Sequence, residues 1–219
     1  MLNRIILALD TKLNINVVLK LREIIDRIKF SYITLFEGGF EYLKAVKEIG
    51  WEEVIFDLKL ADIDSTMIRI VDKLLPYSDS FISHAFIGLD GALGPLSEFL
   101  KNRGKGLYLV VSMSHKGWNE EFYPYLRKVA ESVDPKGFVV GATKPEMIKR
   151  VREDFRDKLI ISPGVGVQGA SIGDAICNGA DFEIIGRSIY SSNDPIKTAH
   201  EIKKKLEERL DECKVSKNR

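Results

Sequence analysis

Phe56-Asp57-Leu58-Lys59-Leu60-Ala61-Asp62-Ile63 sets an acid, a base and a second acid into an otherwise apolar run. Alternate side chains share a face of a strand, so Asp57 and Lys59 are expected to point together, opposite Phe56, Leu58 and Leu60. Charges in an apolar setting are costly unless paired, so a purely structural strand gains little from this pattern, whereas an active site can use it. The alternative is a solvated edge strand. Asp62 argues against that, because it falls where strand spacing gives way to the helical spacing of Ser65-Thr66-Met67-Ile68-Arg69-Ile70-Val71.

Outward from this stretch, short apolar runs at 4–9, 28–33, 54–59, 80–84, 106–112, 137–141, 159–161 and 182–185 read as strands. Segments of helical period lie between them, such as Val17-Val18-Leu19, Leu21, Ile24, Ile25 and Ile28, or Tyr42, Leu43, Val46 and Ile49. Alternation of strand and helix predicts a parallel sheet. Eight such units in 219 residues fit a single-domain (β/α)8 TIM barrel better than an open doubly wound sheet. No linker, fixed-period repeat or change of composition divides the chain. One catalytic domain is expected over residues 1–219, ending in a charged helix and frayed tail from about residue 203.

The 33 basic and 32 acidic residues nearly cancel, so no overall field draws nucleic acid or an anionic membrane. Asp10 interrupts an N-terminal apolar run already too short for a signal peptide or membrane span, and a cytoplasmic protein is expected. Cys177 and Cys213 lack metal-site spacing and fit a reduced interior better than a disulfide scaffold; both are read as inert. Trp51 and Trp118 are read as packing residues. His84 and His115 have no carboxylates at ligand spacing, so no metal site is assigned.

In a barrel, the C-terminal ends of the strands share one mouth, where chemistry is concentrated. Asp10, Asp57, Lys59, His84, Ser112 and Ser114 fall at or near such ends, and Lys29 lies in the second strand. After the seventh strand comes Ser162-Pro163-Gly164-Val165-Gly166-Val167-Gln168-Gly169, whose glycines allow backbone amides to approach a ligand closely. After the eighth comes Gly186-Arg187-Ser188. An arginine there, at a helix start, offers two charge-assisted hydrogen bonds and a favourable dipole to a phosphate. A small phosphorylated ligand is the inference.

At these residues the chain resembles the orotidine 5′-phosphate decarboxylase family over nearly its whole length. The likeness rests on Leu7-Ala8-Leu9-Asp10, Asp57 to Ile63, Met113-Ser114-His115, Ser162 to Gly169 and Gly186-Arg187-Ser188-Ile189-Tyr190. The D-x-K-x-x-D element also occurs in sister decarboxylases and aldol-type synthases; the proline-glycine loop with its glutamine sharpens the match. The resemblance implies decarboxylation of orotidine 5′-phosphate to uridine 5′-phosphate in pyrimidine biosynthesis, with no metal or cofactor. It implies catalysis by Lys59, Asp57, Asp62 and Lys29, with Asp10 and Lys29 on the ribose hydroxyls. It further implies that Ser114 binds the pyrimidine, that Gln168 bridges base and phosphate, and that Gly186 and Arg187 bind the phosphate. Pro163 and Gly164 would shape the pocket wall. Asp62 and Thr66 would reach the neighbouring subunit's site, with Ile63 packing there, which implies a homodimer. Asp64 and Ala170 depart from the family's usual proline and glycine.

Two rivals remain at the level of sequence. A sister such as 3-hexulose-6-phosphate synthase shares the acid–lysine–acid element but uses a divalent metal. A non-catalytic nucleotide-binding barrel would keep Arg187 and the glycine loops but has no use for Lys59 between acids.

Overall fold

The computed structural model describes residues 3–217. Eight parallel strands close in sequence order into one barrel, with β8 (Phe182–Ile185) pairing back to β1 (Ile5–Leu9). The expected (β/α)8 barrel is therefore present. The remaining strands are β2 (Arg27–Ser31), β3 (Glu53–Leu60), β4 (Ser80–His84), β5 (Gly106–Val110), β6 (Gly137–Val139) and β7 (Leu159–Pro163). The helices over the sheet are α1 (Ile15–Arg22), α2 (Tyr32–Glu48), α3 (Asp64–Leu74), α4 (Gly94–Lys101), α5 (Tyr123–Val133) and α6 (Pro145–Asp154). Two single-turn helices, α7 (Asp174–Cys177) and α8 (Arg187–Tyr190), precede the long α9 (Pro195–Lys217). No described helix is long and apolar enough to cross a membrane.

Period-two alternation sorts each strand into two cores. Ile6, Ala8, Ile55, Ile82, Tyr108, Val110, Val139, Ile161, Phe182 and Ile184 fill the barrel interior. Residues of opposite parity, such as Leu7, Phe30, Phe56 and Phe81, pack with α1–α6 in the larger outer core. At the N-terminal end, buried Glu53 accepts from Ser80 Oγ and Lys136 Nζ at 2.6 Å each and from Tyr108 OH at 3.2 Å. That network plugs the bottom and leaves the opposite mouth for function.

Several boundaries differ from expectation. Ile33, expected in the second strand, lies in α2. The strand ends at Ser31, whose backbone N–H donates to Thr34 Oγ1 at 3.1 Å while the Thr34 hydroxyl donates to Leu9 O, favouring a helix start. The helical spacing read through Ile28 stops at Arg22, since Ile24 and Ile25 turn the chain and Ile28 belongs to β2. The C-terminal helix starts at Pro195, ahead of residue 203, and the tail after Lys217 lies outside the described residues. The cysteine reading is overturned: Cys177 and Cys213 form a disulfide, with Cα atoms 5.9 Å apart. Their separation of 36 residues hides a proximity that arises only when α9 folds back over α7.

Candidate active site

The inward parity of β1, β2 and β3 brings Asp10, Lys29 and Asp57 together at the mouth. Lys29 Nζ lies 3.1 Å from Asp57 Oδ2 and 3.4 Å from Asp10 Oδ1, and the Lys59 ammonium donates to Asp57 Oδ2 at 2.8 Å and Oδ1 at 2.9 Å. The result is a row of alternating sign: Asp10, Lys29, Asp57, Lys59. Burial alone pushes the Lys29 ammonium down, but attraction and hydrogen bonds from Asp57 and Asp10 prevail and hold its pKa above the ordinary lysine value. For Asp57 the same contest runs the other way. Burial pushes its carboxyl up, and Lys29 and Lys59 together hold it below the usual carboxylate range.

Lys59 reaches Asp57 by a route that alternation did not predict. Its φ is +44°, in the left-handed region that non-glycine residues rarely occupy, and the β3–β4 register slips between Asp57 and Leu60. Leu58 and Leu60 stay buried in the outer core while the Lys59 side chain keeps 41% exposure at the mouth. Such a conformation costs of order 1–3 kcal/mol, and strain of this kind gathers at functional sites.

A cavity of about 180 Å³ beside this row is lined by Asp10, Lys29, Asp57 and Lys59 on one side. Pro163, Gly164, Gln168, Gly186 and Arg187 line the other. It opens into a lobe of about 540 Å³ walled by Ser31, Tyr32, Ile33, Leu58 and Tyr190. Gln168 and Ser114 meet across the mouth, the Ser114 hydroxyl donating to Gln168 Oε1 at 2.6 Å. Gly164 permits this closeness: its φ is +106°, and a Cβ there would lie 2.9 Å from Ser114 Cβ.

Asp62, Ile63 and Thr66 are not among the lining residues of either lobe. Asp62 is exposed and accepts from the Ile63 backbone N–H at 2.7 Å, Ile63 is 59% exposed, and Thr66 is half-buried on α3. Tyr32 lines the site without having been singled out, and so do Ser188 and Tyr190, which were quoted in the stretch after the last strand but given no role. The sequence signal for Tyr32 is that it follows a strand end; Tyr190 closes the family-like stretch after β8. His84 Nδ1 is buried without a hydrogen-bond partner; burial and the nearby Lys59 charge push its pKa down, with Asp57 opposing. Among the described residues no group of three or more His, Cys, Asp and Glu side chains has an arrangement that holds a metal ion.

A charged row and an arginine-glycine grip at one barrel mouth define a (β/α)8-barrel enzyme suited to a small phosphorylated substrate. The chain belongs to the orotidine 5′-phosphate decarboxylase / HUMPS family, whose sequence model matches residues 3–202. A Sulfurisphaera tokodaii protein named orotidine 5′-phosphate decarboxylase is 58% identical over 213 residues, covering 97% of this chain and 100% of its own length. The crystal structure of orotidine 5′-monophosphate decarboxylase from Sulfolobus solfataricus superposes with a TM-score of 0.93 at 41% identity, covering 95% of this chain and 100% of that one. The Methanocaldococcus jannaschii enzyme complexed with inhibitor BMP gives a TM-score of 0.85 at 32% identity, covering 94% and 99%.

Proposed function

We propose that this chain decarboxylates orotidine 5′-phosphate to uridine 5′-phosphate without metal or cofactor. The observation that carries this reading is one cavity lined both by the Asp10–Lys29–Asp57–Lys59 row and by Gln168, Gly186 and Arg187. A phosphate held at Arg187 extends the nucleotide toward the row, with Asp10 and Lys29 on the ribose hydroxyls and Ser114 on the pyrimidine edge.

Loss of carbon dioxide leaves a carbanion at ring carbon 6, and a fixed cation is the means of stabilising it. Lys59 supplies that cation and then the proton. A unit charge about 4 Å away is worth roughly 4 kcal/mol at an effective dielectric near 20, and water screening reduces this while the side chain is partly exposed. Closure of the Pro163–Gly169 loop over the base would exclude that water, converting phosphate binding into catalytic order.

The complete site is a homodimer in this reading, with Asp62 and Thr66 entering the partner's cavity and Ile63 packing beside them. Support comes from apolar exposure on α2 and just before α3: Phe36 is 79% exposed, Phe40 and Ile63 are exposed, and so is Ile33, which also lines the site. Large apolar side chains left exposed to this degree suit an association surface. The test is the loss of orotidine 5′-phosphate ultraviolet absorbance with purified protein in a chelator. Turnover in chelator is expected and would argue against the metal-dependent synthase branch; no loss of the substrate with or without an added divalent metal would refute the reading.

A further inference from the structure

Glu183 is a fully buried acid that the mechanism above does not use. It lies between Phe182 and Ile184, which face the barrel interior, so its side chain leaves the outer face of β8 beneath α7. There its carboxylate accepts from the backbone N–H of Gly173 at 2.9 and 3.0 Å and of Ala175 at 3.1 Å. Gly173 ends the loop that carries Gln168, so this acid holds the loop's trailing stem.

The same stem is gripped from outside by α9. Arg209 Nε donates to Asp174 Oδ1 at 3.0 Å, and the Cys177–Cys213 bridge joins α7 to α9 covalently. Gly173 is enclosed between the two grips. Its φ is +89°, and a Cβ there would lie 2.5 Å from Arg209 Cγ. The leading stem is fixed as well, since Ala142 N–H donates to Pro163 O at 2.8 Å. A loop pinned at both ends has less conformational freedom to lose when its amides close on an anion, and preorganisation of that kind strengthens binding.

We propose that Glu183, with Arg209 and the Cys177–Cys213 bridge, is a positioning assembly that holds the phosphate loop and strengthens the chain's grip on a nucleotide 5′-phosphate. Glu183 acts through the loop and touches no substrate atom. The inference rests on the phosphate assignment made above, and calorimetric titration of the full chain with uridine 5′-phosphate and with uridine separates the two. Equal affinity of the unaltered protein for both ligands refutes the phosphate assignment itself. Where the phosphorylated ligand binds more tightly, Glu183→Met, similar in size but without acceptors, is expected to weaken it by about tenfold and to change uridine less than about twofold. Glu183→Gln, which keeps one acceptor oxygen, is expected to recover most of that loss. An unchanged affinity in Glu183→Met, or equal weakening of both ligands, overturns the positioning role. Should Glu183→Met not fold, the double variant Arg209→Ala/Cys177→Ser decides. Selective loss of about threefold or more for uridine 5′-phosphate supports the assembly, and anything else overturns it.

Discussion

Lys29 and Asp57 form a nearly sealed ion pair, their side chains only 6% and 9% exposed, with nitrogen and oxygen 3.1 Å apart. Removing one member strands the other away from water, which typically costs 3–5 kcal/mol. Asp57→Asn is therefore expected to lose about 3 kcal/mol in urea unfolding at neutral pH, because Lys29 keeps only Asp10 as a charged partner. A change below about 1 kcal/mol would mean that the pair is solvated.

The pair also fixes a pH window. Asp57 has its folded pKa below the ordinary aspartate value of 3.8, so its stabilisation is present above that value and lost as pH falls through the depressed pKa. Lys29 is raised above 10.5, so its stabilisation is present below 10.5 and lost as pH rises through the raised value. The pair's contribution is expected to stay flat between about pH 5 and 9. Urea midpoints of the unaltered protein and Asp57→Asn across that range check this; a difference that changes steeply inside it contradicts the assignment.

Glu183 predicts the opposite slope on the acid side. Burial pushes its carboxyl up to about 7 against the amides of Gly173, Ala175 and Ile176, and the Asp174 charge adds to the rise; Arg209 of α9, paired with Asp174, flanks the same stem. With a folded pKa above the reference 4.5, its stabilisation is present below 4.5 and lost as pH rises through about 7. The loss is on the order of 3 kcal/mol, and Glu183→Gln should abolish that part of the slope in urea titrations from pH 4 to 8.

Lys59 offers a backbone test independent of charge. At φ +44° an alanine retains the left-handed penalty and a glycine does not. Lys59→Gly should therefore be more stable than Lys59→Ala by about 1 kcal/mol, reversing the usual order for a strand. Equal thermal midpoints would show that the strain relaxes elsewhere.

A shared site predicts complementation. Lys59→Ala and Asp62→Ala proteins, each inactive, should regain about a quarter of the unaltered activity after equal mixing, because half the dimers then carry one intact site of two. Proven subunit exchange without recovery would refute the contribution of Asp62 across the interface.

The barrel was legible because apolar runs and helical spacing repeat with regularity, and Asp10, Asp57 and Lys59 announced themselves as charges at strand ends. Lys29 lay within the second strand and was tied to the site by the family resemblance, and the structure sets it between both acids. Other features depend on distant contacts. The left-handed backbone of Lys59 follows from a register slip against β4, which no spacing within β3 encodes. Glu183 reads as one acid in a short apolar strand until α7 presents its amides. The cysteine pairing required knowing that α9 crosses α7.

If the Lys59 ammonium stabilises and protonates the carbanion, single-turnover decarboxylation of orotidine 5′-phosphate in chelator by the unaltered protein and Lys59→Ala reads its contribution without product release intervening. A rate at least about 10⁴-fold lower is expected for Lys59→Ala, with uridine 5′-phosphate still bound through Arg187 and Gln168. A Lys59→Ala rate within about tenfold of the unaltered protein would contradict it.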